Sequence, residues 1–360
     1  MDLKEKSIEI IVNNQHESGA FVASPNFETY NYSWMRDGSF IANSLDIVGK
    51  TENSRRFFDW VHKVVIKQEE KVNSLINKKL AKEPIGATDY LPTRYNLDGS
   101  ETGDEWPNFQ LDGYGTWLWA LCQHIKKTNT EELIDKYEKS IKITLDYLLN
   151  FWYVPNYDCW EENGDKVHPS TLACIYGGLK SITEYVEDSR IDGVLRDIKT
   201  FVSDHCVVDN RISKYQGSNS IDSSLLWVAI PFGLFDINDE IFKNTVKVIE
   251  ERLLHDGGVH RYPEDTYYGG GEWLLLSSWL GIYYAESGNL SDAKNILMWV
   301  EDKANERGEM TEQVLHHVND EKYIEYWKEK WGEVANPLLW SHAMYLVLLD
   351  KIEGKKKKSF

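Results

Sequence analysis

Four short stretches of this sequence set carboxylates among aromatic and basic side chains. Tyr30-Asn31-Tyr32-Ser33-Trp34-Met35-Arg36-Asp37 packs three rings and an Arg–Asp pair into eight residues. Trp160-Glu161-Glu162 places two acids beside an indole, and Arg261-Tyr262-Pro263-Glu264-Asp265-Thr266-Tyr267-Tyr268 repeats the basic, aromatic and acidic mixture. Glu309-Met310-Thr311-Glu312-Gln313 closes a loop opened by Gly308. Taken singly, each has an ordinary reading: Arg36–Asp37 as an ion pair at a helix start, Glu162 as a solvated acid. Taken together, carboxylates flanked by Trp and Tyr are what cleavage of a glycosidic bond requires. One acid must keep its proton, which a neighbouring indole favours by desolvating the charged form, and the other must be ionised to activate water. Arg and Asp forks then grip hydroxyls while rings stack on the apolar faces of a sugar.

Other chemistries lack their residues. There is no Gly-x-Gly-x-x-Gly dinucleotide loop, no phosphate loop, no His-Glu-x-x-His and no Gly-x-Ser-x-Gly turn. Gly269-Gly270-Gly271 precedes a helix without the strand that a nucleotide fold supplies. Cys122, Cys159, Cys174 and Cys206 are scattered, and the spacing of Cys159, His168 and Cys174 does not match a zinc framework, so no metal and no cofactor is expected. The cysteines read as reduced, buried thiols.

The balance of charge narrows the partners. Forty Lys and Arg against 58 Asp and Glu leave a net charge of −18, which repels phosphate backbones and anionic membrane surfaces. No apolar run reaches the ~18 residues of a membrane span, and Met1 to Lys6 lacks the layout of a secretory signal, so a cytoplasmic location is expected. Fourteen Trp and 20 Tyr exceed what a core needs, and sugar faces are one use for the excess.

These residues must be positioned by helices. Phe40, Ile41, Ser44, Leu45 and Val48 fall on one face, as do Phe57, Trp60, Val61, Val64 and Val65, and then Leu133, Ile134, Tyr137, Ile141, Leu145 and Leu148. Gly49 and Gly288 stand where helices should stop. About twelve helices are expected, starting near residues 3, 38, 52, 113, 131, 169, 190, 221, 237, 272, 290 and 337. They come in pairs, an all-round apolar helix followed by an amphipathic one, which is what concentric inner and outer rings require. The uneven spacing of the pairs puts extra length in loops, notably 80–112 and 152–168, both studded with aromatics. No alternating window demands a sheet.

The ordered set Trp-x-Arg-Asp, Gln-Leu-Asp-Gly, Trp-Glu-Glu, Arg-Tyr-x-x-Asp-x-Tyr, Glu-Gln and Leu-Trp-Ser-His, spread from about Tyr30 to His342, resembles glycoside hydrolase family 15, the glucoamylase family. The resemblance implies an all-α fold, an (α/α)6 barrel of six inner and six outer helices, in agreement with the helix count. It places the family's general acid on Glu161 and its general base on Glu312. Tyr30 matches the tyrosine that helps hold the attacking water. Arg36 and Asp37 match the pair gripping the non-reducing glucose, and Trp34 and Trp160 are counted among the rings of that pocket. Arg261 and Asp265 match a second polar clamp, and Glu162 an acid contacting the next sugar. Trp106, Gln110 and Asp112 fall in a loop closing one side, with Trp273 near another ring.

The family inverts configuration, which calls for two carboxyl groups roughly 6.5–9.5 Å apart. Glu161 is expected to have a raised pKa and Glu312 to stay anionic, with a bell-shaped profile on the acid side of neutral. The expected activity is exo-acting release of β-glucose from short isomalto- or malto-oligosaccharides. A trehalase of the same family is the alternative within this chemistry, and a catalytically silent sugar-binding protein is the alternative outside it. Residues 1–354 read as a single catalytic domain and 355–360 as a basic, solvated tail. A β-sandwich ahead of the barrel and a starch-binding module are not expected in this sequence, which favours a small-oligosaccharide substrate, and the acidic charge argues against a nucleic-acid or membrane partner. Oligomeric state is not legible.

Overall fold

Helical periodicity governs the architecture. The computed structural model describes residues 2–358. Its α-helices in chain order are α1 (Leu3–Asn13), α2 (Met35–Ile47), α3 (Thr51–Ile66), α4 (Glu69–Ala81), α5 (Asp112–Thr128), α6 (Glu132–Phe151) and α7 (Pro169–Ile182). They continue as α8 (Ile191–His205), α9 (Glu240–Leu253), α10 (Leu274–Ser287), α11 (Leu290–Asp302), α12 (Lys322–Trp331) and α13 (Leu339–Lys358). Strands are two residues long. β1 (Ser33–Trp34) pairs antiparallel with β2 (Arg94–Tyr95), and β3 (Val207–Val208) with β4 (Arg211–Ile212). β5 (Leu254–His255), β6 (Gly258–Val259), β7 (Glu272–Trp273) and β8 (Gln313–Val314) form an antiparallel ribbon.

The helices close a ring. α2 packs on α5, α5 on α7, α7 on the 3-10 helix Ser223–Val228, that helix on α10, α10 on α13, and α13 back on α2. Around them α3, α6, α8, α9, α11 and α1 each back an inner member. This is the (α/α)6 barrel that the alternation of all-round apolar and amphipathic helices predicts. α10 is buried at eleven of its positions, whereas α11 buries only Ala293, Ile296 and Val300. Because each outer helix returns the chain, the inner helices run the same way and their N-termini gather at one mouth. That mouth carries the positive ends of the helix dipoles, a favourable place for carboxylates. Midway along the bore, Phe40, Trp227, Trp279 and Trp340 plug the ring, with Phe40 stacked on Trp340 at 5.4 Å and Trp227 4.6 Å from Trp279.

Three features depart from the sequence expectation. The fourth inner element, expected as a helix from near 221, is the six-residue 3-10 helix: Asp222 caps it through Ser224 N–H at 2.8 Å, and Pro231, which lacks an N–H, prevents its extension. α4 and α12 were not anticipated, because α4 buries only Val72 and Leu75 and α12 buries nothing. The run Lys355 to Lys358 continues α13, and Lys355 Nζ lies 3.2 Å from Glu286 Oε2. The four cysteines are free and buried. Among the described residues no helix is long and apolar enough to cross a membrane.

Close approach of α5 and α7 depends on glycine. A Cβ on Gly178 would lie 2.2 Å from the Gly115 carbonyl oxygen, and one on Gly115 2.4 Å from that of Cys174. Both neighbours are backbone, so neither can move aside cheaply. Gly178→Ala is therefore expected to destabilise by about 1–3 kcal/mol or more in denaturant unfolding. Gly193→Ala, in α8 with open space around it, is expected to stabilise by about 0.4–1 kcal/mol. Equal effects at the two positions would contradict the close-packing account.

Candidate active site

At the N-terminal mouth of the ring, the first turn of α2 delivers Arg36 and Asp37, both buried. Arg36 Nη1 donates to Gln110 Oε1 and to Asp112 Oδ2, each at 2.9 Å, and Arg36 Nε lies 3.3 Å from Asp37 Oδ2. Asp112 is the first residue of α5, so this one guanidinium ties together two inner-helix starts. Burial lifts the Asp37 carboxyl to about 6, although Arg36 pulls against it. Gln110 passes the link onward: its Nε2 donates to Glu161 Oε1 at 3.2 Å.

Glu161 sits in a turn with φ +67°, a left-handed conformation that costs an L-residue of order 1–3 kcal/mol. Asp158 imposes it. The Asp158 carboxylate accepts from the N–H groups of Trp160 and Glu162 at 3.0 and 2.9 Å, while its carbonyl accepts from Glu161 N–H at 2.9 Å. The turn aims Glu161 Oε1 at the Trp34 indole, which donates to it at 2.7 Å. Burial raises the Glu161 pKa, with Trp106, Arg36, Trp34 and Gln110 opposing. Trp160 is held from behind, its Nε1 donating to Asp222 at 3.0 Å.

Glu312 comes from the opposite side, just before β8. Its N–H donates to Ala335 O at 2.9 Å, and the start of α13 clamps the preceding residues. Ser341 Oγ donates to Thr311 O at 2.9 Å, and Met310 N–H donates to His342 Nε2 at 3.0 Å. His342, whose pKa burial drives down to about 3, is the neutral acceptor that this bond requires. The Glu312 carboxyl is itself 2% exposed, and its Oε2 has no protein partner. Burial pushes its pKa up to about 8, against the restraining hydrogen bond of Tyr30 and the charge of Arg261. The expectation of an anionic Glu312 thus meets a correction: desolvation outweighs both partners. Tyr30 is anchored by Tyr267, hydroxyl to hydroxyl at 2.9 Å.

A second fork faces the first. Arg261 Nε donates to Asp265 Oδ2 at 2.7 Å and its Nη2 to the other oxygen, while Nη2 lies 3.5 Å from Glu162 Oε1. Tyr262 donates to Glu162 Oε2 at 2.5 Å. The buried ammonium of Lys214 lies 3.1 Å from Asp222 Oδ2, 4.0 Å from Glu162 Oε2 and 3.0 Å from the Tyr262 ring centre.

Tyr30, Trp34, Arg36, Asp37, Trp160, Glu161, Arg261, Trp273 and Glu312 all line one pocket of about 60 Å³, so residues 151 positions apart do converge. Gln110, Asp112 and Asp265 do not line it. They are fully buried behind it and act on Arg36, Glu161 and Arg261. Glu162 and Trp106 lie outside the pocket lining, Trp106 under the Arg94 guanidinium at 3.7 Å. Sequence patterning did not single out Lys214, Asp222, Tyr267 or Trp340. Only Trp340 and Tyr267 lay inside strings already noticed. A larger hollow of about 850 Å³ opens at the far end of the ring, but its Trp119 and Trp279 are only 6% and 5% exposed. Among the described residues no group of three or more His, Cys, Asp or Glu could hold a metal ion.

Residues 6–350 match the family described as Glycosyl hydrolases family 15. The chain is 37% identical to an isomaltose glucohydrolase of Kribbella flavida, over 98% of this chain and 92% of that protein. A solved glycosidase in complex with glucose superposes with a TM-score of 0.94 at 37% identity, covering 98% of this chain and 96% of that one. A bacterial glucoamylase complexed with acarbose shares the fold, with a TM-score of 0.76 at 19% identity, over 98% of this chain and 55% of its own.

The buried carboxyl of Glu312 has a stability signature. Its folded pKa is raised, so its contribution is complete below the unfolded value of about 4.3 and is lost as pH rises through about 8. Glu312→Gln removes that penalty. Thermal unfolding should show the variant gaining on the parent as pH rises from 5 to 8, and a difference independent of pH would rule out the buried-acid account.

Proposed function

From the premise that this chain belongs to glycosyl hydrolase family 15, and is a glycoside hydrolase, we propose that it is an exo-acting, inverting α-glucosidase releasing β-glucose from short α-glucans. One observation carries the sugar reading. Three buried polar atoms on pocket-lining residues have no hydrogen-bond partner in the protein, Trp273 Nε1, Glu312 Oε2 and Trp340 Nε1, and Arg36 Nε and Asp37 Oδ2 have only their mutual ion pair at 3.3 Å. Unsatisfied groups of this kind are rare and call for an explanation. A ring of hydroxyls, each both donor and acceptor, satisfies two indole donors and a carboxyl oxygen at once and still has the Arg36–Asp37 fork to bind.

In the proposed mechanism Glu161 protonates the glycosidic oxygen while Glu312, ionised, takes a proton from water attacking the far side of the anomeric carbon. The bond to the leaving oxygen breaks as the bond to water forms, so configuration inverts. Trp34 and Gln110 aim Glu161, and Tyr30, steadied by Tyr267, adjoins Glu312 where the water is held. The two forks hold the first glucose, and Glu162 meets the second. The 37% identity to an isomaltose glucohydrolase supports α-1,6-linked substrates over maltose or trehalose. A cytoplasmic location fits a substrate of this size.

Glu312→Gln and Glu161→Gln are each expected to lower turnover of isomaltose by about 10²–10⁴-fold. NMR of the first turnover should show β-glucose, and α-glucose as the first product would overturn the inverting mechanism. The productive form carries Glu312 ionised and Glu161 protonated, and burial raises both groups. Both limbs of the kcat/KM profile should therefore lie above the ordinary carboxylate value of about 4.3. The limbs belong to the coupled pair. A plateau extending unchanged from pH 4 to 8 is the contrary result.

A further inference from the structure

α12 has no barrel role. It buries none of its residues, yet four hydrogen bonds latch it and its flanks to segment 265–269. Trp327 Nε1 donates to Thr266 O at 3.0 Å, Tyr268 Oη to Gly332 O at 2.8 Å, Asn319 Nδ2 to Asp265 O at 3.0 Å, and Asp320 N–H to Gly269 O at 3.1 Å. The helix is a fixed rim, and its last residue, Trp331, packs 5.9 Å from Tyr267. Trp331 also lies 6.3 Å from Trp106, with ring planes 29° apart. Trp106 in turn is 6.3 Å from Trp34, whose Nε1 donates to Glu161. A single indole, Trp34, thus separates the Trp106–Trp331 pair from Glu161. Arg94, 1% exposed, backs Trp106 at 3.7 Å and keeps its ring from tilting away.

We propose that Trp331, with Trp106, is the aromatic platform for the sugar leaving group, making α12 a determinant of what lies beyond the first glucose. The proposal rests on the glucosidase reading above and names a specificity residue for it. Trp331 touches neither Glu161 nor Glu312 among the contacts described, so it acts on binding and not on the chemical step. Indole faces suit this task because they bury area without demanding a fixed pattern of hydroxyls.

The test compares two substrates of the full chain. One is whichever of isomaltose, maltose and trehalose the parent hydrolyses, and the other is α-glucosyl fluoride, which has no second sugar. Trp331→Ala should raise KM for the disaccharide about tenfold or more, with kcat little changed, and leave kcat/KM for the fluoride at the parent value. Trp331→Phe should restore most of the disaccharide affinity. Trp331→Leu keeps an apolar contact on Tyr267 without a flat face and should behave as the Ala variant, which separates stacking from folding. Equal losses on both substrates, or no loss on either, overturn the proposal while leaving the glucosidase reading intact. A parent inactive on all four compounds would remove that reading and this proposal with it.

Discussion

A guanidinium buried at the mouth of a helical ring has to be neutralised, and the arrangement of this molecule follows from how Arg36 meets that demand. Its partners come from three places: the adjacent Asp37, Asp112 at the start of α5, and Gln110 in the loop before it. Meeting all three fixes two inner-helix starts relative to each other. The Gln110 amide then carries the constraint to Glu161. Arg261 and Asp265 repeat the solution across the mouth. Buried ion pairs of this sort add little net stability over apolar packing, so their presence at the open end, and not in the plugged centre of the bore, points to a ligand.

The same end of the barrel concentrates other costs. Glu161 is held at positive φ by Asp158, Glu312 keeps an unpartnered oxygen, and Asp37 is lifted to about 6. Each is destabilising in isolation, and each faces one small pocket. The opposite end shows the contrast. Its hollow is larger, but two of its acids are already paired within the protein, Glu286 with Lys351 and Lys355 and Asp46 with His124. Size alone would point to the opposite end from the one that carries these costs. The plug of Phe40, Trp227, Trp279 and Trp340 keeps the two apart and gives the pocket a rigid floor, with Trp340 serving both.

Much of the fold was legible in the residues. Apolar faces repeating at helical spacing mark five of the inner helices and all of the outer ones, because a 3.6-residue period is local. The fourth inner element was legible only as an apolar segment: Ser223 to Val228 has no signal distinguishing a 3-10 helix from an α-helix, and Pro231 sets its length. α12 escaped notice because a helix without a buried stripe has no stripe to find. In the site, the strings around Arg36, Glu161, Arg261 and Glu312 stood out because aromatic and charged residues crowd within a few positions. Lys214 and Asp222 carry no such local mark and matter only because ring closure brings them beside Glu162 and Trp160.

The order of residues by itself determined which side chains were available for acid, base and sugar contacts, and that they would stand at junctions between helices and loops. It did so because capping, periodicity and composition act over a few positions along the chain. Tertiary structure alone decided that Glu161 and Glu312 share a pocket, that Gln110, Asp112 and Asp265 stand behind it, and that the Glu312 carboxyl rises to about 8. Those outcomes depend on distance and dielectric across the closed ring, and neither quantity exists until the last inner helix has packed against the first.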